Sequence, residues 1–270
     1  MARAKRHYLP GQIWHLTHRC HKREFLLKLV MDRRNWVQWL FEAKRRYELV
    51  ILNYAVTSNH VHLLVLDEKG RDVIPQSIKL VAGRTGQEYN LRKNRKGAFW
   101  EDRYHATAVE SELHLLRCLV YIDLNMVRAG VVSHPSEWPF SGYGEIQEPR
   151  RKSVLIAYQK LAGLAGFSNY DAFREAHKEL VREALTNDGT FRQRQTHWTE
   201  SIAVGSRSFT EMIKEKLGIL AKGSKVLENA EGFQLREKMG TYIANSDSKK
   251  DDIGVQNAYR WDINYLFSMS

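Results

Sequence analysis

The sequence predicts an α+β fold: a ferredoxin-like antiparallel sheet with packed helices, followed by a mainly helical C-terminal region. Three observations lead there. Residues 1–150 alternate segments of strand and helix character in the order β-α-β-β-α-β-α. Two of the strand segments are joined only by the short turn Ser58-Asn59, as in an antiparallel pair. Beyond about residue 150 the strand signals fade and helical spacing takes over.

Each element has its own signal. Gln12–Cys20 reads as a strand, with β-branched and aromatic residues after the Pro10-Gly11 turn. Val30–Tyr47 has helical spacing, with Trp36, Leu40 and Tyr47 on one stripe and basic residues among the remainder. Leu49–Thr57 is a second strand and His60–Leu66 a third. Val73–Leu91 favours a helix, closed by the basic segment Arg92–Gly97, and Phe99–Val109 is a fourth strand. Ser111 suits an N-cap, and Leu113–Ala129 is a helix that stops at Gly130. Further on, Val154–Leu164, Tyr170–Leu185 and Ser208–Leu217 read as helices, Asn245–Asp252 as a polar linker and Ala258–Ser270 as an aromatic tail. The expected division is therefore 1–150, 151–244 and 245–270.

Composition narrows the class. With 270 residues, 43% of them hydrophobic, 27% charged and 5 Pro, the chain can bury a core and is neither disordered nor collagen-like as a whole. Its two cysteines, Cys20 and Cys118, exclude a disulfide framework and a four-thiolate zinc site. No apolar run approaches the roughly 18 residues of a membrane span. The basic N-terminus has no apolar stretch behind it, so the expectation is a soluble, cytoplasmic protein with no membrane partner. A surplus of 42 Lys+Arg over 31 Asp+Glu gives a net charge of +11. Most of it falls in residues 1–150, in clusters such as Arg19-Lys22-Arg23, Lys44-Arg45-Arg46 and Arg92-Lys93-Arg95-Lys96. Such clusters suit a polyanion, foremost nucleic acid; a solvated basic surface explains them equally well.

Two local features could carry chemistry. His60-Val61-His62 lies on a strand, where residues i and i+2 share a face, so two imidazoles project together while Val61 and Leu63 face away. Paired neutral imidazoles can hold a divalent metal; they can equally be two satisfied histidines of a half-buried sheet. In the helix from Leu113, Leu115, Leu119, Ile122 and Met126 make the core stripe. Tyr121, Asn125 and Arg128 occupy a separate face centred roughly 120° away, at about 100° per residue. They offer a phenol as nucleophile, an amide oxygen as a further metal ligand, and a guanidinium for a phosphate. Each could also be an ordinary boundary residue, with Arg128 complementing the helix dipole.

Together the segments are more specific. Thr57-Ser58-Asn59-His60-Val61-His62-Leu63-Leu64-Val65 and Tyr121-Ile122-Asp123-Leu124-Asn125-Met126-Val127-Arg128-Ala129-Gly130 resemble the two signature motifs of the single-tyrosine HUH transposases. That family includes the insertion-sequence transposases and the REP-associated tyrosine transposases. Arg6–Gly11, Phe99–Tyr104 and Glu137–Tyr143 are also similar to family segments, so the likeness spans about residues 5–145. Many members carry Met-Pro where this chain has Thr57-Ser58, and Pro in place of Met126; neither difference touches a reactive group.

The resemblance implies the HUH nuclease fold and a function. His60, His62 and Asn125 would bind Mg²⁺ or Mn²⁺. Tyr121 would cut single-stranded DNA, at sites marked by a hairpin, through a 5′-phosphotyrosine intermediate that a later 3′-OH resolves by rejoining. Arg128, Arg103, Arg19, Arg23, Lys93 and Arg95 are the expected phosphate and DNA contacts. The chain would act as a monomer or homodimer, associated with the nucleoid when bound to DNA. No nucleotide is needed for such chemistry, in keeping with Gly83-Arg84-Thr85-Gly86, which lacks the spacing and Lys of a P-loop.

Two competing functions use the same residues. One is a repressor-like protein that retains the fold and binds hairpin nucleic acid without cutting it. The other is a metal-dependent hydrolase with water as nucleophile. Among the neighbours, His15, His18, Cys20 and His21 look like a metal cluster, but on a strand His15 and His18 point to opposite faces. His15 or Arg19 is instead expected to line a DNA groove. Trp100, Tyr104 and His105 could stack on unpaired bases, although Trp100 and Tyr104 could also belong to the core. Cys118 is expected to be a packing residue. The tail, with Tyr259, Trp261, Tyr265 and Phe267, could cover the site and restrain it, or complete a C-terminal core.

Overall fold

The computed structural model describes residues 9–68, 70–186, 195–229 and 231–237. The linker and aromatic tail expected over 245–270 lie outside the described residues, as do Arg6–Tyr8.

The N-terminal part follows the expected order: β1 (Ile13–Arg19), α1 (Val30–Tyr47), β2 (Val50–Val56), β3 (His60–Leu66), α2 (Val73–Arg92), β4 (His105–Val109) and α3 (Leu113–Asp123). Its four strands lie in the order β2-β3-β1-β4, each pair antiparallel. This is the ferredoxin-like α+β sheet. Registers such as Leu16↔Leu63 and Thr17↔His62 sort the side chains onto two faces. On one face Leu16, Val61 and Leu63 meet Trp36 of α1 and Ile78 and Val81 of α2. On the other, α3 covers His15 and His62. The expected stripe of α3 is buried, with Leu115, Leu119 and Ile122 at 0% exposure.

Three elements differ from expectation. The fourth strand begins only at His105: residues 99–104 form a loop tied back by a bridge from Trp100 to Cys20. The long helix breaks at Leu124, so Asn125 opens a separate turn, α4 (Asn125–Arg128). The helix expected over Val154–Leu164 starts at Tyr158, because Ile156 is extended and bridges to Ile51 beside β2.

After α5 (Tyr143–Gln147), the C-terminal region supplies α6 (Tyr158–Leu164), α7 (Tyr170–Thr186), α8 (His197–Glu200) and α9 (Arg207–Leu217). It also adds strands: β5 (Ala203–Gly205) pairs parallel with β4, and the hairpin of β6 (Lys225–Asn229) and β7 (Gly232–Arg236) follows. The result is one seven-stranded sheet, β2-β3-β1-β4-β5-β7-β6. Two buried polar anchors join the C-terminal segments to the rest. Glu145 accepts the amides of Leu155 and Ile156, both at 2.7 Å. Asp123 of α3 accepts from Asn53 at 3.0 Å and from His177 of α7 at 2.9 Å, with both members of the Asp123–His177 pair at 0% side-chain exposure. Gly142 passes so close to Asn53 that a Cβ there would collide with its Oδ1, so this crossing accepts no larger residue.

Candidate active site

The strand β3 delivers both histidines to the face covered by α3, because His60 and His62 are two residues apart. Their rings lie 4.9 Å apart, centroid to centroid. His60 is held by its neighbours: its Nδ1 lies 3.0 Å from Thr57 Oγ1 and 2.7 Å from Asn59 Oδ1. Asn59 is an acceptor there, so Nδ1 carries the proton. The turn residue Thr57 thereby orients the ring.

His62 is fully enclosed. Its Nε2 lies 2.9 Å from Asn125 Nδ2, and its Nδ1 lies 2.9 Å from Nε2 of His15 on β1. The other nitrogen of His15 reaches the backbone carbonyl of Trp198 at 2.8 Å. Burial is the main force holding His15 down to about 3. Burial first, then His60, His15, and the guanidinium charges of Arg128 and Arg19, keep His62 well below the ordinary imidazole range. Both rings are neutral at pH 7, as metal ligation by an imidazole requires.

Tyr121 stands beside them, its ring 5.7 Å from that of His62, edge to face. Trp198 packs on its other side at 6.2 Å, and Tyr121 is only 7% exposed. Arg128 lies over the phenol ring at 4.5 Å and donates to the Tyr121 carbonyl at 3.3 Å. The break at Leu124 thus leaves the nucleophile candidate on α3 and the amide and guanidinium on α4, all facing one point.

The residues fit a divalent cation in part by chemistry and in part by convergence. Two neutral imidazoles and an amide from two elements meet here, and the Asn125 N–H occupies the His62 lone pair that a cation would take. Among the described residues no group of three or more His, Cys, Asp or Glu side chains is arranged to hold a metal. The set is therefore two histidines and an amide, which leaves coordination positions for phosphate oxygens or water.

The basic residues fall into two groups. Arg19 pairs with His60 in register and, with Arg128, sits at the site. Arg23, Lys93, Arg95 and Arg103 lie on loops gathered at the same end of the sheet. Those loops are tied by Cys20 N to Asn59 O at 2.7 Å, His21 N to Phe99 O at 2.8 Å and Glu101 N to Arg19 O at 2.9 Å. Arg23 and Lys93 are exposed and Arg103 half-buried. Arg95 also holds its own loop, donating to Asn90 and Ala98.

His15 does not line a groove: at 0% exposure it is a core residue supporting His62. Nothing in its sequence context marks this, and its other partner, a main-chain carbonyl, has no sequence signature. Trp100 is half-buried, stacked on His18 at 4.2 Å with its indole donating to Ala82 O, so it serves the packing of this loop. Cys118 is fully buried, as a packing residue should be.

A family model described as "Transposase IS200 like" matches residues 10–125. Residues 10–125 belong to the IS200-like transposase family. The matched span begins just before β1 and ends at Asn125, so it takes in both histidines, the tyrosine and the amide of this transposase domain. The chain is also similar to a solved REP-associated tyrosine transposase bound to a REP hairpin. The two share 22% identity over 54% of this chain and 84% of that one, with a TM-score of 0.46. A protein from Deinococcus radiodurans assigned to the transposases matches at 18% identity over 40% of this chain and 86% of its own, with a TM-score of 0.31. No curated protein matches. Among the described residues no helix is long and apolar enough to cross a membrane.

Proposed function

We propose that the chain is a metal-dependent single-strand DNA transposase and endonuclease that cuts and rejoins DNA through Tyr121. The observation that carries this reading is the meeting of Tyr121, His62 and Asn125, all inside the span that matches the transposase family, with Arg128 just beyond it, at one partly buried site. A protein that only bound DNA would have no use for a phenol packed against a pair of neutral imidazoles.

His60, His62 and Asn125 would hold Mg²⁺ or Mn²⁺, whose positive charge supports negative charge developing on the phosphate and the departing oxygen. The phenolic oxygen of Tyr121 attacks phosphorus, its proton leaving to solvent, and the bond from phosphorus to the 3′ oxygen breaks. That oxygen takes up a proton. The products are a 5′-phosphotyrosine and a free 3′-OH, so the phosphodiester bond is conserved and the reverse attack by a second 3′-OH rejoins DNA without a nucleotide cofactor. Arg128 places a fixed positive charge over the phenol ring, where charge develops as the proton leaves. Arg19, Arg23, Lys93, Arg95 and Arg103, at the same end of the sheet as His60, would lead the strand to the pocket. If about six phosphates are neutralised, single-strand affinity falls with a log–log salt slope near −4.

The test is a covalent-adduct assay on hairpin-bearing, 3′-labelled single-stranded DNA taken from the sequence flanking the gene. The expected result is a metal-dependent shift of label to protein mass with wild type, and none with Tyr121→Phe or His62→Ala. Cleavage by Tyr121→Phe without an adduct would make the protein a hydrolase. Retention on a native gel with no cutting by wild type would make it a binding protein.

A further inference from the structure

The buried chain of hydrogen bonds behind His62 runs in one direction, and that direction has a consequence. The carbonyl of Trp198 can only accept, so His15 Nδ1, 2.8 Å away, must carry a proton. A neutral His15 then has a lone pair on Nε2, and the imidazole of His62, 2.9 Å away, must donate to it from Nδ1. The lone pair of His62 is left on Nε2, which is the nitrogen facing Asn125 and the phenol pocket. Were His15 to carry its proton on Nε2 instead, His62 would turn its own proton toward the pocket and lose its capacity to ligate.

We propose that His15 is a positioning residue that sets the tautomer of His62, and that the Trp198 carbonyl, supplied by the C-terminal region, sets that of His15. The transposase domain is therefore completed by a segment outside the residues that match its family. That segment is firmly placed. Thr107 of β4 donates to the carbonyls of both Trp198, at 3.3 Å, and Ser201, at 2.7 Å. Ser201 in turn bonds Gln234 of β7 at 2.8 Å, and His197 meets Glu231 at 3.0 Å. Outer partners of this kind fix ring orientation as well as proton position, and their loss typically weakens metal binding about 10–100-fold.

The proposal rests on the reading of His62 as a metal ligand, but its first measurement does not. Long-range ¹H–¹⁵N spectra of the metal-free full chain report which ring nitrogen is protonated. His62 and His15 should both show the Nδ1–H form, assigned by the loss of each signal in His62→Ala and His15→Phe. In His15→Phe, which keeps a ring in the core but removes the acceptor, His62 should shift to the Nε2–H form or a mixture. Affinity for Mn²⁺ alone, followed by the free-ion electron paramagnetic resonance signal, should drop about 10–100-fold. In His15→Gln the amide can accept from His62 and donate to Trp198, so tautomer and affinity should recover. A wild-type His62 protonated on Nε2 overturns the proposal. So does a His15→Phe protein that is folded, as judged by its spectrum, with unchanged His62 signals. If the tautomers behave as expected while wild type binds no Mn²⁺, the metal reading fails and the positioning role of His15 stands.

Discussion

Two buried polar networks flank α3, and they are built on opposite principles. Toward the N-terminal strands, Asn125, His62, His15 and the Trp198 carbonyl form a chain of neutral groups, each donating to the next. Toward α7, Asp123 pairs with His177, braced by Asn53 and by Gln147 at 3.0 Å from the His177 ring. The first ends at a half-buried amide beside Tyr121; the second is sealed from solvent at both Asp123 and His177. The second ties the C-terminal region to α3, which carries the nucleophile candidate, and the first ties it to β1, β3 and α4. A carboxylate in that seal needs its partner for the chain to fold, whereas the neutral chain can lose a member and leave no stranded charge. One network is a sealed anchor; the other lies beside the residues proposed to do chemistry.

The contrast can be tested by removing one group from each. His177→Leu strands the Asp123 carboxyl in a closed site and should cost about 3–5 kcal/mol of stability, read from urea unfolding midpoints. A loss below about 1 kcal/mol would show that the Asp123–His177 pair is not the structural anchor its burial implies.

A second prediction concerns acid. His18, on the opposite face of β1, donates to Asp102 O at 2.8 Å and is held down to about 4, chiefly by burial. In the unfolded chain it titrates near 6.5. Between those values the unfolded state takes the proton first, so the stability this neutral ring supports is complete above pH 6.5 and is lost as pH falls toward 4. The slope is about 1.4 kcal/mol per pH unit for one such group. His18→Phe should flatten the stability–pH curve in that window by about one proton. An unchanged slope would mean that His18 is already protonated in the folded protein.

The smallest expected effect is at Asn125. Asn125→Ala removes the donor to His62 without burying a charge, and should alter stability by no more than about 1 kcal/mol. It should nonetheless remove most of the adduct formed with DNA. A variant that unfolds instead would place Asn125 with Asp123 among the structural groups and erase the distinction between the two networks.

Much of this was legible in the residues, and the exceptions have physical causes. The bounds of α1 and β3 follow directly from hydrophobic spacing, and His60 and His62 share a face because a strand has a period of two. Three strands have no clear sequence signal, because Ala203–Gly205 is only three residues long and the β6–β7 hairpin is mostly half-buried, with Leu235 its one fully buried strand residue. The break at Leu124 has no Pro or Gly to announce it. The expectation that His15 or Arg19 lines a DNA groove fails for His15, because pairing with another imidazole and a carbonyl lets it sit in the core.

The hydrogen bond from His15 to Trp198 joins residues 183 positions apart. On a ribosome, the chain between them takes on the order of ten to forty seconds to make. For the last part of that time, from Asn125 to Trp198, the tyrosine, both histidines and the amide already exist, but the carbonyl that accepts from His15 does not. If Tyr121 cuts DNA as proposed, synthesis order acts as a safety catch: a chain ended before Trp198 would carry the proposed reactive residues without the carbonyl that orients His15.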